Sequence, residues 1–158
     1  MYPEPLNPIR LVVLQGTSFC NLNCTYCDLS PASRRMTGRM GMDVVERLFR
    51  ELFASPYLDP RITVVWHSGE PLTLPVDYYD SAIAAILRLR EEAGRADVEL
   101  CFDFQTNGVL IDQAWCDFFR RHQSHLNLGV SCDGPAPLHD AFRVNWGGRA
   151  THAKTVAG

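Results

Sequence analysis

Apolar positions along this chain follow two alternating rhythms. Ile9 to Leu14 is a short run rich in β-branched residues, which predicts a buried strand. Val44, Val45, Leu48, Phe49, Leu52 and Phe53 then recur at helical spacing, with Asp43 as the expected N-cap and Ser55-Pro56 as the stop. Ile62 to Trp66 reads as a second buried strand. Between Asp77 and Ala93 the apolar residues Ile83, Ile86, Leu87 and Leu89 return to helical spacing, and Gly94 sits where a C-terminal cap is expected. Val98 to Phe104 alternates with period two, a strand pattern. Asp112 is the expected cap of a helix carrying Trp115, Phe118 and Phe119. Leu126 to Val130 is a fourth strand. The stretch after Pro135 reads as a loop, and a further helix starts near Thr151.

Strand and helix in strict alternation predict an α/β fold whose strands pair in parallel through crossover helices. Ligand sites in such folds lie at the carboxyl ends of the strands. The unusual polar motifs all fall there. They are the long loop Gln15 to Gly41, then Ser68-Gly69-Glu70-Pro71, Thr106-Asn107-Gly108 and Ser131-Cys132-Asp133-Gly134-Pro135. Four loops on one rim can converge on one ligand.

Composition narrows the classes. With 46% hydrophobic residues in 158, the chain can bury a core. A net charge of −3 offers no basic footprint for nucleic acid or an anionic membrane. No apolar run is long enough to cross a bilayer, and Met1-Tyr2-Pro3-Glu4-Pro5 does not open a signal peptide. These features point to a cytoplasmic, reducing setting, where cysteines serve metals or catalysis more often than disulfides.

Three of the six cysteines lie within eight residues: Cys20, Cys24 and Cys27, a C-x3-C-x2-C spacing. Clustered thiolates select zinc or iron–sulfur centres. A structural zinc site wants four ligands, and a fourth could come only from afar, His67 or His139. Three buried thiols, or a disulfide with one spare thiol, are the other readings. Three thiolates on a four-iron cubane leave one iron open to a substrate or cofactor, and the spacing predicts three sulfurs turned to one point. Cys101, Cys116 and Cys132 are isolated and read as small buried hydrophobes. Arg34, Arg35 and Arg39 read as a solvated basic face, with contact to an acidic leader peptide as the alternative.

The cysteine spacing, with Tyr26 before the third cysteine, resembles the cluster motif of the radical S-adenosylmethionine enzymes. Ser68-Gly69-Glu70-Pro71 is similar to their Gly-Gly-Glu-Pro motif. Gly16 to Cys20, Trp66 to Leu72, Phe104 to Gly108, and Ser131 to Pro135 with His139, Asp140 and Arg143 extend the likeness. Together they resemble the cyclophane-forming, Grr-type peptide maturases, SPASM enzymes related to the anaerobic sulfatase maturases.

The resemblance implies a partial (β/α) TIM-like barrel with about four parallel strands present. Residues 1–8 would be an N-terminal extension and residues 9–158 an incomplete radical S-adenosylmethionine core domain. It implies a [4Fe-4S] cluster on Cys20, Cys24 and Cys27, with S-adenosylmethionine as cofactor. One electron, supplied by a donor protein or reductant, would cleave the cofactor to a 5′-deoxyadenosyl radical. That radical would take hydrogen from a ribosomally synthesised precursor peptide, leading to a side-chain crosslink. Formylglycine formation of the sulfatase-maturase type is the alternative activity, and a zinc-binding module the non-enzymatic one. Carried over residue by residue, Tyr26 lies near the adenine, and Ser68, Gly69 and Glu70 bind the cofactor's ammonium with the Glu70 carboxylate as anchor. Ser131 contacts the ribose or methionine end, and Arg143 the carboxylate. No catalytic acid or base is assigned, and Asp133 and Asn107 read as turn residues. The family's later strands and auxiliary-cluster domain have no counterpart in these residues. The chain is therefore expected to be the N-terminal part of a longer enzyme, poorly soluble or oligomeric alone.

Overall fold

The computed structural model describes residues 8–158. All of the expected N-terminal extension except Pro8 lies outside the described residues. Strands β1 (Ile9–Leu14), β2 (Leu58–Trp66), β3 (Glu99–Thr106) and β4 (Leu126–Val130) form one sheet in the order β1-β2-β3-β4. Every neighbouring pair is parallel. Helices α1 (Met42–Ala54), α2 (Val76–Glu92) and α3 (Gln113–His122) make the crossovers. This is the expected α/β arrangement, four strands of an open barrel wall.

The core lies between the helices and one face of the sheet. Ile62, Val64 and Trp66 of β2 and Leu100, Phe102 and Phe104 of β3 point to that side by strand alternation, and all six are buried. They meet Val45, Phe49 and Phe53 of α1, Tyr79, Ile83 and Ile86 of α2, and Trp115 and Phe118 of α3. Aromatic rings tile the centre edge to face. Tyr79 and Phe104 lie 4.8 Å apart, Tyr79 and Trp66 5.1 Å, and Phe104 and Phe118 5.6 Å. The opposite face is open. Leu11 and Val13 of β1 are 57% and 55% exposed, and Cys101, Asp103 and Gln105 of β3 are half-buried on that side.

Several boundaries differ from the sequence pattern for physical reasons. Asp112 does cap α3, accepting a hydrogen bond from the Trp115 amide at 3.0 Å. Gly94 does take a left-handed turn after α2, with φ of 64°. Asp43, however, is not the N-cap of α1. Gly41 is, and Asp43 stands in the first turn, where its charge complements the helix dipole. Strand β2 starts at Leu58, not Ile62. Asp59-Pro60 looks like a turn signal but lies where the β1–β2 register shifts, a place that tolerates a residue without an amide hydrogen. The stretch read as a loop after Pro135 contains a short helix, α4 (Ala136–Phe142). Its prolines, 135 and 137, sit at the start, where helix amides have no partner to lose. A last short helix, α5 (His152–Ala157), follows.

Candidate active site

The loop from β1 to α1 is shaped from both sides. Inside it, Arg34 is 4% exposed. Its guanidinium donates to the Leu29 carbonyl at 3.0 Å and the Cys24 carbonyl at 3.4 Å, while its own carbonyl accepts from the Cys20 amide at 3.0 Å. From outside, the end of α4 and the residues after it lie along the loop. Asn23 and Thr25 amides donate to the Val144 and Phe142 carbonyls at 2.7 and 2.9 Å, and the Trp146 indole donates to the Cys20 carbonyl at 2.9 Å. The Arg35 guanidinium stacks 4.4 Å from the Trp146 ring centroid. The basic stretch is thus not simply a solvated face. Arg34 and Arg35 brace the cysteine loop, because a loop rich in unpaired carbonyls needs buried donors.

Cys20 is buried, while Cys24 and Cys27 are half-buried, and all three are free thiols. Burial pushes the Cys20 thiol up to about 11, against a hydrogen bond from the Leu22 amide that favours the thiolate. Burial also raises Cys24, against the pull of the Arg143 charge. Such thiols give up their protons to a metal rather than to water.

The Ser68–Pro71 loop turns sharply out of β2. Ser68 and Gly69 both take left-handed backbone, φ 69° and 64°. A Cβ on Gly69 would meet the Phe19 carbonyl at 2.8 Å and clash with the Thr17 carbonyl as well. Only glycine lets this turn press against the cysteine loop, where the Glu70 amide donates to the Phe19 carbonyl at 2.7 Å.

Glu70 is 1% exposed. Its carboxylate accepts from the Leu72 amide at 3.0 Å, the Thr106 hydroxyl at 2.6 Å and the Asn107 amide at 2.8 Å. Burial raises its pKa, and these three donors oppose the rise. These bonds give the Glu70 carboxylate, expected as an anchor for the cofactor's ammonium, a part in the fold as well. It pins the loop after β2 to the end of β3. Asn107 is likewise more than a turn residue. Its side chain donates to Asn21 Oδ1 at 2.7 Å, beside Cys20.

On the far side, Asp133 follows Ser131 out of β4. Its carboxylate accepts from the Tyr26 hydroxyl at 2.6 Å and from Arg143 Nε at 2.9 Å. Burial raises the Asp133 pKa, but these bonds outweigh it and hold the carboxyl below its usual range. Burial and the Asp133 bond push the Tyr26 hydroxyl up to about 12. The Arg143 guanidinium lies 5.6 Å from the Tyr26 ring centroid. His139 is fully buried between the Asp133 amide and the Thr151 hydroxyl, as a structural histidine.

These loops enclose a cavity of about 290 Å³. Cys20, Cys24, Cys27, Tyr26, Ser68, Gly69, Glu70, Ser131 and Arg143 all line it, so the residues that the resemblance assigns to the cluster and the cofactor border one space. Gln105, Thr106 and Asn107 of β3 line it too, and His67 joins them. Sequence reasoning missed Asp133, Arg34, Trp146 and the packing role of Glu70. No three His, Cys, Asp or Glu side chains among the described residues group closely enough to hold a single metal ion. The expected convergence of the three sulfurs on one point is therefore not met, and the cysteines share a cavity instead. Cys116 and Cys132 are exposed, not buried, because one sits on the outer side of α3 and the other on the turn after β4. No helix among the described residues is long and apolar enough to cross a membrane.

A four-stranded parallel wall thus places a three-thiol cavity at the carboxyl ends of its strands. Residues 14–156 match the radical SAM superfamily, and the chain belongs to it. Members of that family use a [4Fe-4S] cluster and S-adenosylmethionine. The chain is 39% identical over 151 residues to the uncharacterized protein sll1766 of Synechocystis sp., covering 96% of this chain and 37% of that protein. It is 31% identical to a serine-type anaerobic sulfatase-maturating enzyme of Bacteroides thetaiotaomicron, covering 99% of this chain and 37% of that one. Among solved structures it is similar to native anSMEcpe with bound AdoMet and the Cp18Cys peptide, with a TM-score of 0.76 and 25% identity. That match covers 95% of this chain and 38% of the other. The chain therefore spans a little over a third of the length of the curated relatives it matches.

Proposed function

We propose that residues 9–158 are the cofactor-binding part of a radical S-adenosylmethionine maturase core that modifies a peptide or protein. The observation that carries this reading is the single cavity shared by the three cysteines, the Ser68–Glu70 loop, Ser131, Tyr26 and Arg143. The donor set fits the cofactors. Three free thiols suit iron, and the raised pKa values of Cys20 and Cys24 are what a metal overcomes. When bound, the cluster supplies one electron that cleaves S-adenosylmethionine and starts hydrogen abstraction.

This chain's residues do the holding. Cys20, Cys24 and Cys27 take the irons. The Ser68 and Gly69 carbonyls accept no hydrogen bond among the described residues, so this turn offers free acceptors to the cofactor's ammonium. Glu70 keeps the turn in place from behind. Arg143 spends Nε on Asp133 and has its terminal nitrogens for the carboxylate. Tyr26 offers an aromatic face to the adenine, and Ser131 a hydroxyl to the ribose or methionine end.

The proposed product is a crosslink between an aromatic side chain and a carbon of another residue in a ribosomal precursor peptide, a reading that rests on the motif set of the sequence. Likeness to a serine-type sulfatase-maturating enzyme favours a second product, formylglycine. Both remove two hydrogens, so mass alone does not separate them. The protein, reconstituted anaerobically with iron and sulfide, is incubated with a precursor peptide and with a sulfatase-derived serine peptide. A product that resists tandem mass fragmentation between two residues supports the crosslink. One captured by an aldehyde reagent supports formylglycine. Absence of S-adenosylmethionine cleavage by the reconstituted protein would remove both.

A further inference from the structure

We propose that Asp133 is a positioning residue that ties Tyr26 of the cysteine loop to Arg143, so that the two reach the cofactor cavity as one preset unit. The inference rests on the reading above, in which Tyr26 and Arg143 bind S-adenosylmethionine. Asp133 does not itself line the cavity, whereas both of its partners do. Its two carboxylate oxygens are divided between them. Oδ2 takes the Tyr26 hydroxyl at 2.6 Å and Oδ1 takes Arg143 Nε at 2.9 Å. Tyr26 and Asp133 are 107 residues apart in sequence, so this one side chain joins the first rim loop to the last.

The arrangement is more than a surface ion pair. The Arg143 side chain is only 14% exposed. Its backbone is gripped at both ends, the amide donating to the His139 carbonyl at 2.8 Å and the carbonyl accepting from the Thr151 hydroxyl at 2.6 Å. Asp133 is fixed in turn through its amide on His139 Nδ1, at 3.5 Å, and the left-handed Gly134 that follows it, φ 97°. A guanidinium is planar, so a bond at Nε fixes the direction of its remaining fork. That fork carries no other hydrogen bond among the described residues, and the residue borders the cavity. Tyr26 is 53% exposed, and its hydroxyl bond to Asp133 ties the tip of the side chain down, with the Phe142 ring 6.2 Å away. Ordering both groups before the cofactor arrives removes that cost from binding.

The test is a double-mutant cycle on S-adenosylmethionine affinity, measured by equilibrium dialysis on anaerobically reconstituted protein. Iron content and circular dichroism are recorded for each variant. Arg143→Ala should raise Kd about tenfold or more, and Asp133→Ala about tenfold. Because Asp133 acts through Arg143 as well as Tyr26, the two penalties should overlap, and the double variant should bind at least about threefold more tightly than the product of the two single effects. Asp133→Asn keeps one acceptor oxygen, should fall between wild type and Asp133→Ala, and carries the cycle should the alanine variant lose iron or helix signal. An unchanged Kd in the Asp133 variants, or penalties that simply add, would overturn the positioning role while leaving the site reading intact. An unchanged Kd in Arg143→Ala would overturn both.

Discussion

The two sides of this sheet end are built from different material. Behind the sheet, twenty-four buried apolar residues pack as a dry, aromatic-rich core, with Trp66, Tyr79, Phe104 and Phe118 at its centre. At the rim, the buried polar side chains are Thr17, Arg34, Glu70, Thr106, Asn107, His139, Thr151 and Thr155, and all eight belong to the loops or to the segments that brace them. The core is non-directional and holds the strands in place. The rim is directional, since each buried donor or acceptor costs free energy unless its partner stands at the right distance. A cavity that must present several groups at set positions needs the second kind of order, and the first kind supports it.

That contrast can be broken from either side. The largest functional effect is expected at the cysteines. Cys24→Ala should abolish S-adenosylmethionine cleavage and reduce bound iron, measured by product release and iron assay after anaerobic reconstitution, while thermal unfolding of the metal-free chain changes little. Retained cleavage would remove the cluster assignment. The largest effect on stability is expected in the core. Phe104→Ala should cost about 3–5 kcal/mol in denaturant unfolding, since its ring packs on Tyr79, Phe118 and Phe119. A loss below about 1 kcal/mol would mean the site collapses around the gap.

Glu70→Gln tests where the two orders meet. An amide keeps one acceptor oxygen, so one of the three donors on Glu70 loses its bond. The variant should lose about 1–3 kcal/mol in unfolding free energy as well as cofactor affinity. Weakened binding at full stability would restore the view of Glu70 as a ligand group alone. Gly69→Ala should cost about 1–2 kcal/mol or more, because the left-handed φ and the Thr17 and Phe19 carbonyls both oppose a Cβ. The smallest effect has the opposite sign. Ser68→Gly relieves a left-handed residue, φ 69°, and should raise stability by less than about 1 kcal/mol. A Ser68→Gly chain that unfolds more easily would show that the serine side chain supports the turn.

Periodicity in the sequence was sufficient for the strands, their parallel order and the helix-covered core, because apolar burial needs only the right residue types at the right spacing. The motif residues were legible for a related reason. Cys20, Cys24 and Cys27 are close in sequence, and the other motif loops each follow a strand, so the topology brings them to one rim. What spacing does not carry is a partnership between distant segments. Asp133 meets Tyr26 across 107 residues of chain, Trp146 holds the Cys20 carbonyl across 126, and Glu70 binds Asn107 across 37. Each looks like an ordinary turn or loop residue until the fold places its partner. Arg34 looked solvated for the same reason, since only the folded loop shows the carbonyls it serves. Helix α4 hid behind its prolines, which local propensity treats as breakers and a helix start accommodates. Local pattern decided which residues could form the site, and tertiary structure decided how they are held, because hydrogen bonds depend on distances that only folding sets.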